Sequence, residues 1–265
     1  MGHSPDPDDA FMFYAMTHGL IDTGDFQFQD HLEGIESLNR RAEKAEFPVT
    51  AVSLHQYPYI ADRYELMPVG ASVGDGYGPI VVARGAPWKA GSLVAIPGDR
   101  TSAVLYLKLR FGADVRTAVE EFDRIPALVL EGKYDYGLLI HEGQLTYAAQ
   151  GLTLVEDLGR WWLAETGLPA PLGVNVILKD LKGKDEVTEI LRRSIAWAFE
   201  HSGESVRHAM KYGRGLDENA AEKFVRMYVN DFTLDLGPRG LAGVREFLKR
   251  AVENHLITAQ EDFRI

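Results

Sequence analysis

Residues 93–110 read LVAIPGDRTSAVLYLKLR, and this stretch decides the fold class. Leu93–Ile96 is an apolar run of strand length. Pro97-Gly98 turns the chain, and Val104, Leu105 and Leu107 then recur at helical spacing over Thr101–Arg110. The pattern is strand, tight turn, helix, and it recurs along the first two thirds of the chain. Ala10–His18 has helical character, Phe26–Gln29 alternates like a strand, and Ile35–Lys44 has the spacing of an amphipathic helix. Pro48–Ser53, with Val49, Thr50 and Val52, reads as a strand, as does Pro79–Ala83. Tyr136–Ile140 is short and apolar throughout, as in a buried parallel sheet. Such alternation predicts α/β lobes with parallel-rich sheets.

From about Asp180 the pattern changes. Val187–His201, Glu204–Tyr212, Glu218–Val229 and Leu241–Glu253 read as successive helices with no strand between them. Two α/β stretches followed by a helical tail predict two lobes around a cleft. The candidate hinges are the glycine-rich Gly74–Pro79 and the strand-like return at Leu172–Leu178. The expected division is residues 1–83 with 175–265 as one lobe, and 84–174 as the other. The first unit opens at its loop, Ser4-Pro5-Asp6-Pro7, so its leading strand is expected to be missing.

The chain has 265 residues and a net charge of 28 − 39 = −11. That length suits one large domain or two ordinary lobes. The negative balance opposes binding to a phosphate backbone, so nucleic acid is not an expected partner. No apolar run reaches the roughly 18 residues of a membrane span. There is no cysteine, which excludes disulfides and thiolate chemistry and suits a reducing compartment. No secretory signal is visible, so cytoplasmic residence is the expectation. The oligomeric state is left open.

Three stretches could carry chemistry. In Ser4–Phe11, Asp8 or Asp9 would cap the following helix, or the loop would face a ligand at a strand end. A metal site from Asp6, Asp8 and Asp9 is conceivable, but three adjacent carboxylates without further ligands argue against it, and no metal is expected. In Ile96–Ala103, the helix start offers free N–H groups and the positive end of its dipole to an anion, helped by the Thr101 and Ser102 hydroxyls. Thr101 could equally be a plain N-cap. In Gly137–Gly143, an apolar strand ends in His141, whose ordinary pKa of ~6.5 suits a general base. A lone histidine at a strand end can also be purely structural. His55, close after Ser53, is the reserve candidate. Trp161-Trp162 could stack on an aromatic ligand or pack between lobes. Nucleotide, zinc-protease and serine-hydrolase motifs are absent.

These stretches resemble the 1,4-dihydroxy-6-naphthoate synthases in order and register. The matching segments are SPDPDDAFMFYA, ESLNR, the strand ending in Ser53, GPIVVARG, IPG…TSA, GLLIHEGQLTY and DLGRWWLAETGLPAPLG, with looser similarity in YVNDFTLDLG at 228–237. The resemblance implies a type II periplasmic-binding-protein-like fold with a helical C-terminal region. It implies His141 as catalytic base and a substrate gripped by Ala51-Val52-Ser53 and by Ser102-Ala103, with Thr101 adjacent and Asp9 in the cleft. The implied reaction is carbon–carbon cleavage of cyclic dehypoxanthine futalosine in menaquinone biosynthesis, on a small carboxylate-bearing substrate and without a cofactor.

Family members often read S-P-C-P-N-D-T-F, whereas this chain has Asp6, Asp8 and Ala10 where they have Cys, Asn and Thr. A carboxylate in place of an amide disfavours an anionic substrate unless a proton or cation compensates. The alternatives are a chorismate-dehydratase-like sister enzyme and a solute-binding protein for a small carboxylate or aromatic acid.

Overall fold

The computed structural model describes residues 1–140, 143–212 and 218–257. Strands β1 (Gly2–His3), β2 (His31–Leu32), β3 (Val49–Ser53), β4 (Tyr64–Leu66) and β5 (Ser72–Gly74) belong to a first sheet. The chain then enters a second sheet as β6 (Ile80–Ala83) and continues there through β7 (Leu93–Ile96), β8 (Arg116–Val119), β9 (Tyr136–Leu139) and β10 (Thr153–Asp157). It returns to the first sheet as β11 (Ala170–Leu178). The strand orders are β2-β1-β3-β11-β4, with β5 also on β11, and β10-β6-β9-β7-β8.

Three expectations need correction. The leading strand exists as β1, two residues long, pairing parallel with both β2 and β3. Phe26–Gln29 is not a strand; its phenylalanines pack from a loop against the core under the first helix. The sheets are mixed, not parallel-rich. β7 runs parallel to β8 and β9, but β6 is antiparallel to β9 and β10, and β11 is antiparallel to β3, β4 and β5. The reason is topological. Parallel strands such as β3 and β7 end at the cleft, whereas a strand arriving from the other lobe starts there and runs the opposite way. By strand pairing, the chain crosses between Gly74 and Ile80 and returns between Asp157 and Ala170, so β6 lies with the second sheet and the start of β11 with the first.

The glycines of the first crossing answer to close approach. A Cβ on Gly159 would lie 2.0 Å from the Tyr77 carbonyl oxygen, and one on Gly78 would lie 2.8 Å from the Gly159 Cα. Only bare backbone lets the outgoing chain touch the helix that leads back.

The helices are α1 (Pro7–Thr17), α2 (Ile35–Ala42), α3 (Ser102–Phe111), α4 (Ile125–Leu130), α5 (Gly143–Thr146) and α6 (Leu158–Thr166). The tail follows with α7 (Lys184–Glu200), α8 (Ser202–Ala209), α9 (Glu218–Tyr228), α10 (Asp231–Leu234) and α11 (Gly237–Glu253). α1 is apolar on nearly every side, and the tail encloses it: Phe11, Met12, Phe13 and Met16 share a core with Val187, Ile190 and Ile195. Each such side chain contributes about 1.5–3 kcal/mol when fully buried. α11 spans both lobes, placing Phe247 against Tyr106 and Trp162. Trp162 is fully buried and donates its indole N–H to the Pro169 carbonyl, so it packs between lobes and meets no ligand. No helix among the described residues is long and apolar enough to cross a membrane.

Candidate functional site

The cleft holds a pocket with about 720 Å³ of space between its walls, open solvent at its mouth included. Its walls are the β1–α1 turn (Ser4, Asp6, Asp8, Asp9), the end of β3 (Ala51, Val52, Ser53) and the start of α3 (Thr101, Ser102, Ala103). Ile140 and Gln144 flank the end of β9, and Ser72, Leu172–Val174 and Tyr228 complete the wall. The structure therefore brings Asp9, Ala51, Val52, Ser53, Thr101, Ser102 and Ala103 together. His141 lies outside the described residues, between cavity-lining Ile140 and Gln144 in sequence.

At the start of α3, Thr101 is the N-cap. Its hydroxyl accepts from the Val104 N–H at 3.4 Å and donates to the Gly98 carbonyl at 2.9 Å. The Ser102 hydroxyl donates to the Leu172 carbonyl at 2.6 Å and accepts the His55 N–H at 3.2 Å. Each hydroxyl has a single proton, and each proton is already used. The expected role of these hydroxyls as anion donors is therefore corrected: what the α3 start still offers an anion is the N–H groups of Ser102 and Ala103, which have no intrahelical acceptor, and the helix dipole.

Ser53 supplies the hydroxyl that Thr101 and Ser102 do not. Its Oγ accepts from Asn39 Nδ2 at 3.2 Å, its N–H donates to Asn39 Oδ1 at 2.9 Å, and its own proton has no acceptor among the described residues. Asn39, fully buried on α2, thus aims Ser53 as a donor into the cavity. Sequence reasoning missed Asn39 as a site residue, although it sits in the ESLNR segment.

The same cavity has an acidic wall. Asp6, not Asp8 or Asp9, occupies the N-cap position of α1, and it makes no side-chain cap bond. Asp8 accepts from the Ser72 hydroxyl at 2.9 Å, and Asp9 accepts from the Ser4 N–H at 2.7 Å. Burial pushes the Asp9 carboxyl above its ordinary pKa, against the pull of His3's charge and Ser4's hydrogen bonds. Among the described residues, no group of three or more His, Asp or Glu side chains is placed to hold a metal ion.

His55, the reserve base, does not line the cavity. Its Nδ1 lies 3.1 Å from the Thr101 carbonyl, and burial lowers its pKa to about 4. It braces the α3 start from behind. Across the cleft, the Tyr228 hydroxyl donates to Gln144 Oε1 at 2.7 Å, joining α9 to α5, and burial pushes that phenol well up. Ser72, Gln144 and Tyr228 carried no sequence signal of their own, because their convergence depends on how the lobes meet.

The family described as menaquinone biosynthesis matches residues 1–253. A protein of Thermus thermophilus named 1,4-dihydroxy-6-naphthoate synthase is 38% identical over 256 residues, covering 95% of this chain and 93% of the relative. Its namesake in Streptomyces coelicolor is 35% identical over 271 residues, covering 98% and 94%. The solved structure of an Archaeoglobus fulgidus protein superposes with a TM-score of 0.92 at 46% identity, covering 97% of each chain. A Candida albicans protein described as having the generic periplasmic-binding-protein fold matches at 11% identity with a TM-score of 0.69, over 98% of this chain and 91% of that one, which speaks to fold alone. The two-lobed architecture is that fold, and the chain belongs to the 1,4-dihydroxy-6-naphthoate synthase family of menaquinone biosynthesis.

Proposed function

We propose that this protein converts cyclic dehypoxanthine futalosine to 1,4-dihydroxy-6-naphthoate by carbon–carbon bond cleavage, with His141 as the base. One observation carries the reading: one cavity between two lobes is lined by Ser53 and the start of α3, and also by Ile140 and Gln144, which lie on either side of His141 in sequence. An aromatic carboxylate docks at the donor end through charge-assisted hydrogen bonds. Docking fixes the reacting carbon, and such positioning is a large part of catalysis. The base withdraws a proton, the bond breaks, and aromatisation of the ring supplies the driving force, so the step needs neither metal nor redox cofactor. We assign the activity to the cytoplasm, in keeping with a chain that has no cysteine.

Incubating the purified protein with cyclic dehypoxanthine futalosine and analysing products by mass spectrometry tests the reading. Appearance of 1,4-dihydroxy-6-naphthoate is the expected result. Consumption of a chorismate-derived substrate instead would reassign the protein to the sister reaction, and tight binding without turnover would make it a carrier.

A further inference from the structure

The acidic wall raises a problem that His3 answers. His3, the last residue of β1, is 4% exposed and stacks on Phe13 with ring centroids 4.6 Å apart. Its Nδ1 lies 2.9 Å from the Ser4 carbonyl, which can only accept, so Nδ1 carries a proton. Its Nε2 faces Asp30 Oδ1 at 3.4 Å. That contact lies outside hydrogen-bond geometry, but a ring protonated at Nδ1 whose other nitrogen faces a buried carboxylate oxygen is favoured as imidazolium. Ser4 then joins this cation to the cavity, because its carbonyl accepts from His3 while its N–H donates to Asp9, which is 7% exposed.

We propose that Asp9 is a second proton-transfer group of the cavity, and that His3, held from behind by Asp30, is the positioning residue that governs it. The proposal rests on the lyase reading above and adds the acid to its base. In its protonated form Asp9 is the acid: when the base takes a substrate proton and the carbon–carbon bond breaks, the bonding pair collects on the departing fragment, which takes the Asp9 proton. The resulting carboxylate is stabilised by His3's charge and is reprotonated from solvent, while the base returns its proton to solvent. One proton leaves the substrate, one enters the product, and nothing is oxidised or reduced.

The electrostatics agree with this geometry. Burial opposes charge on His3, but Asp30, Asp9 and the Ser4 carbonyl together outweigh it and leave its pKa raised. Burial raises Asp9, and His3 holds that rise in check. The other charged or titratable groups facing the cluster are Asp6 and His18, the residues capping α1 at its two ends, His208 of α8 and the Met1 ammonium.

The test compares pH–rate profiles of the full chain and its Asp9→Asn, His3→Gln and Asp30→Asn variants on cyclic dehypoxanthine futalosine, alongside an NMR titration of the His3 ring. Asp9→Asn should lower kcat by about 100-fold or more, and KM should stay within about threefold, since the lost interaction belongs to the transition state. Activity falls as pH rises through the Asp9 pKa. Removing the cation raises that pKa, so His3→Gln should move the falling limb up by about one pH unit. Asp30→Asn should move it the same way by less. The His3 midpoint should drop in Asp9→Asn, a readout that needs no substrate. Wild-type-like kcat in Asp9→Asn, an unmoved limb in His3→Gln, or a His3 midpoint indifferent to Asp9 each overturns the inference. Wild-type protein that leaves the substrate untouched overturns the proposed reaction instead.

Discussion

Replacing His55 by asparagine should make the protein less sensitive to acid. His55 is 6% exposed, and its Nδ1–H is engaged by the Thr101 carbonyl. Burial, helped by the positive charges of Arg100 and Lys108, lowers its folded pKa to about 4 from 6.5. The unfolded chain therefore takes up a proton at a pH where the folded one does not. The folded pKa is depressed, so this contribution is complete above the unfolded pKa and drains away as pH falls from about 6.5 towards 4. Linkage gives a loss of about 2 kcal/mol at pH 5 and about 3 kcal/mol at pH 4. Asparagine keeps an N–H donor near the Nδ1 position but cannot take the proton. Urea unfolding of both proteins at pH 8 and pH 5, followed by tryptophan fluorescence, isolates the effect. His208, whose pKa is likewise lowered to about 4, and the raised His3 act equally on both and cancel in the comparison. Wild type should lose about 2 kcal/mol more than His55→Asn between the two pH values. Parallel losses would refute the reasoning.

Three further outcomes follow from the geometry. Ser53→Ala should weaken binding of 1,4-dihydroxy-6-naphthoate by about 1.5–3 kcal/mol, the contribution of a hydrogen bond to a charged group, and calorimetry would show this as a Kd at least tenfold higher. Tyr228→Phe keeps the ring but severs the link to Gln144, so kcat/KM should fall about fivefold, matching a loss of about 1 kcal/mol; an unchanged value would show that the cross-cleft bond is dispensable. Gly159→Ala places a Cβ against the Tyr77 carbonyl and should lower stability by about 1–3 kcal/mol or more, measured by thermal unfolding.

Much of the architecture was legible in the sequence. β7 falls on its expected residues, β3 and β9 each lose one residue at an end, and α3 is displaced by one at each end, because apolar runs and caps are local signals. β1 was missed because two residues leave no periodicity, and its pairing depends on β2 and β3, which are remote in sequence. Phe26 and Phe28 alternate like strand residues because a loop presses both against one core. The parallel-rich expectation failed at β6 and β11, since an apolar run does not say from which lobe it arrives. At the site, the α3 start was readable from its turn and cap, whereas Ser53 came from the family resemblance. Asn39, Ser72 and Tyr228 were not, because each acts through a partner brought near only by the folded lobes. The Thr101 and Ser102 hydroxyls were legible as residues but not as occupied donors.

The proposed cleavage depends on His141 as its base. Steady-state turnover of cyclic dehypoxanthine futalosine by His141→Asn, set beside calorimetric binding of 1,4-dihydroxy-6-naphthoate by the same variant, tests it most directly. The prediction is a kcat at least about 100-fold below wild type with ligand affinity retained. Wild-type turnover in that variant would contradict it.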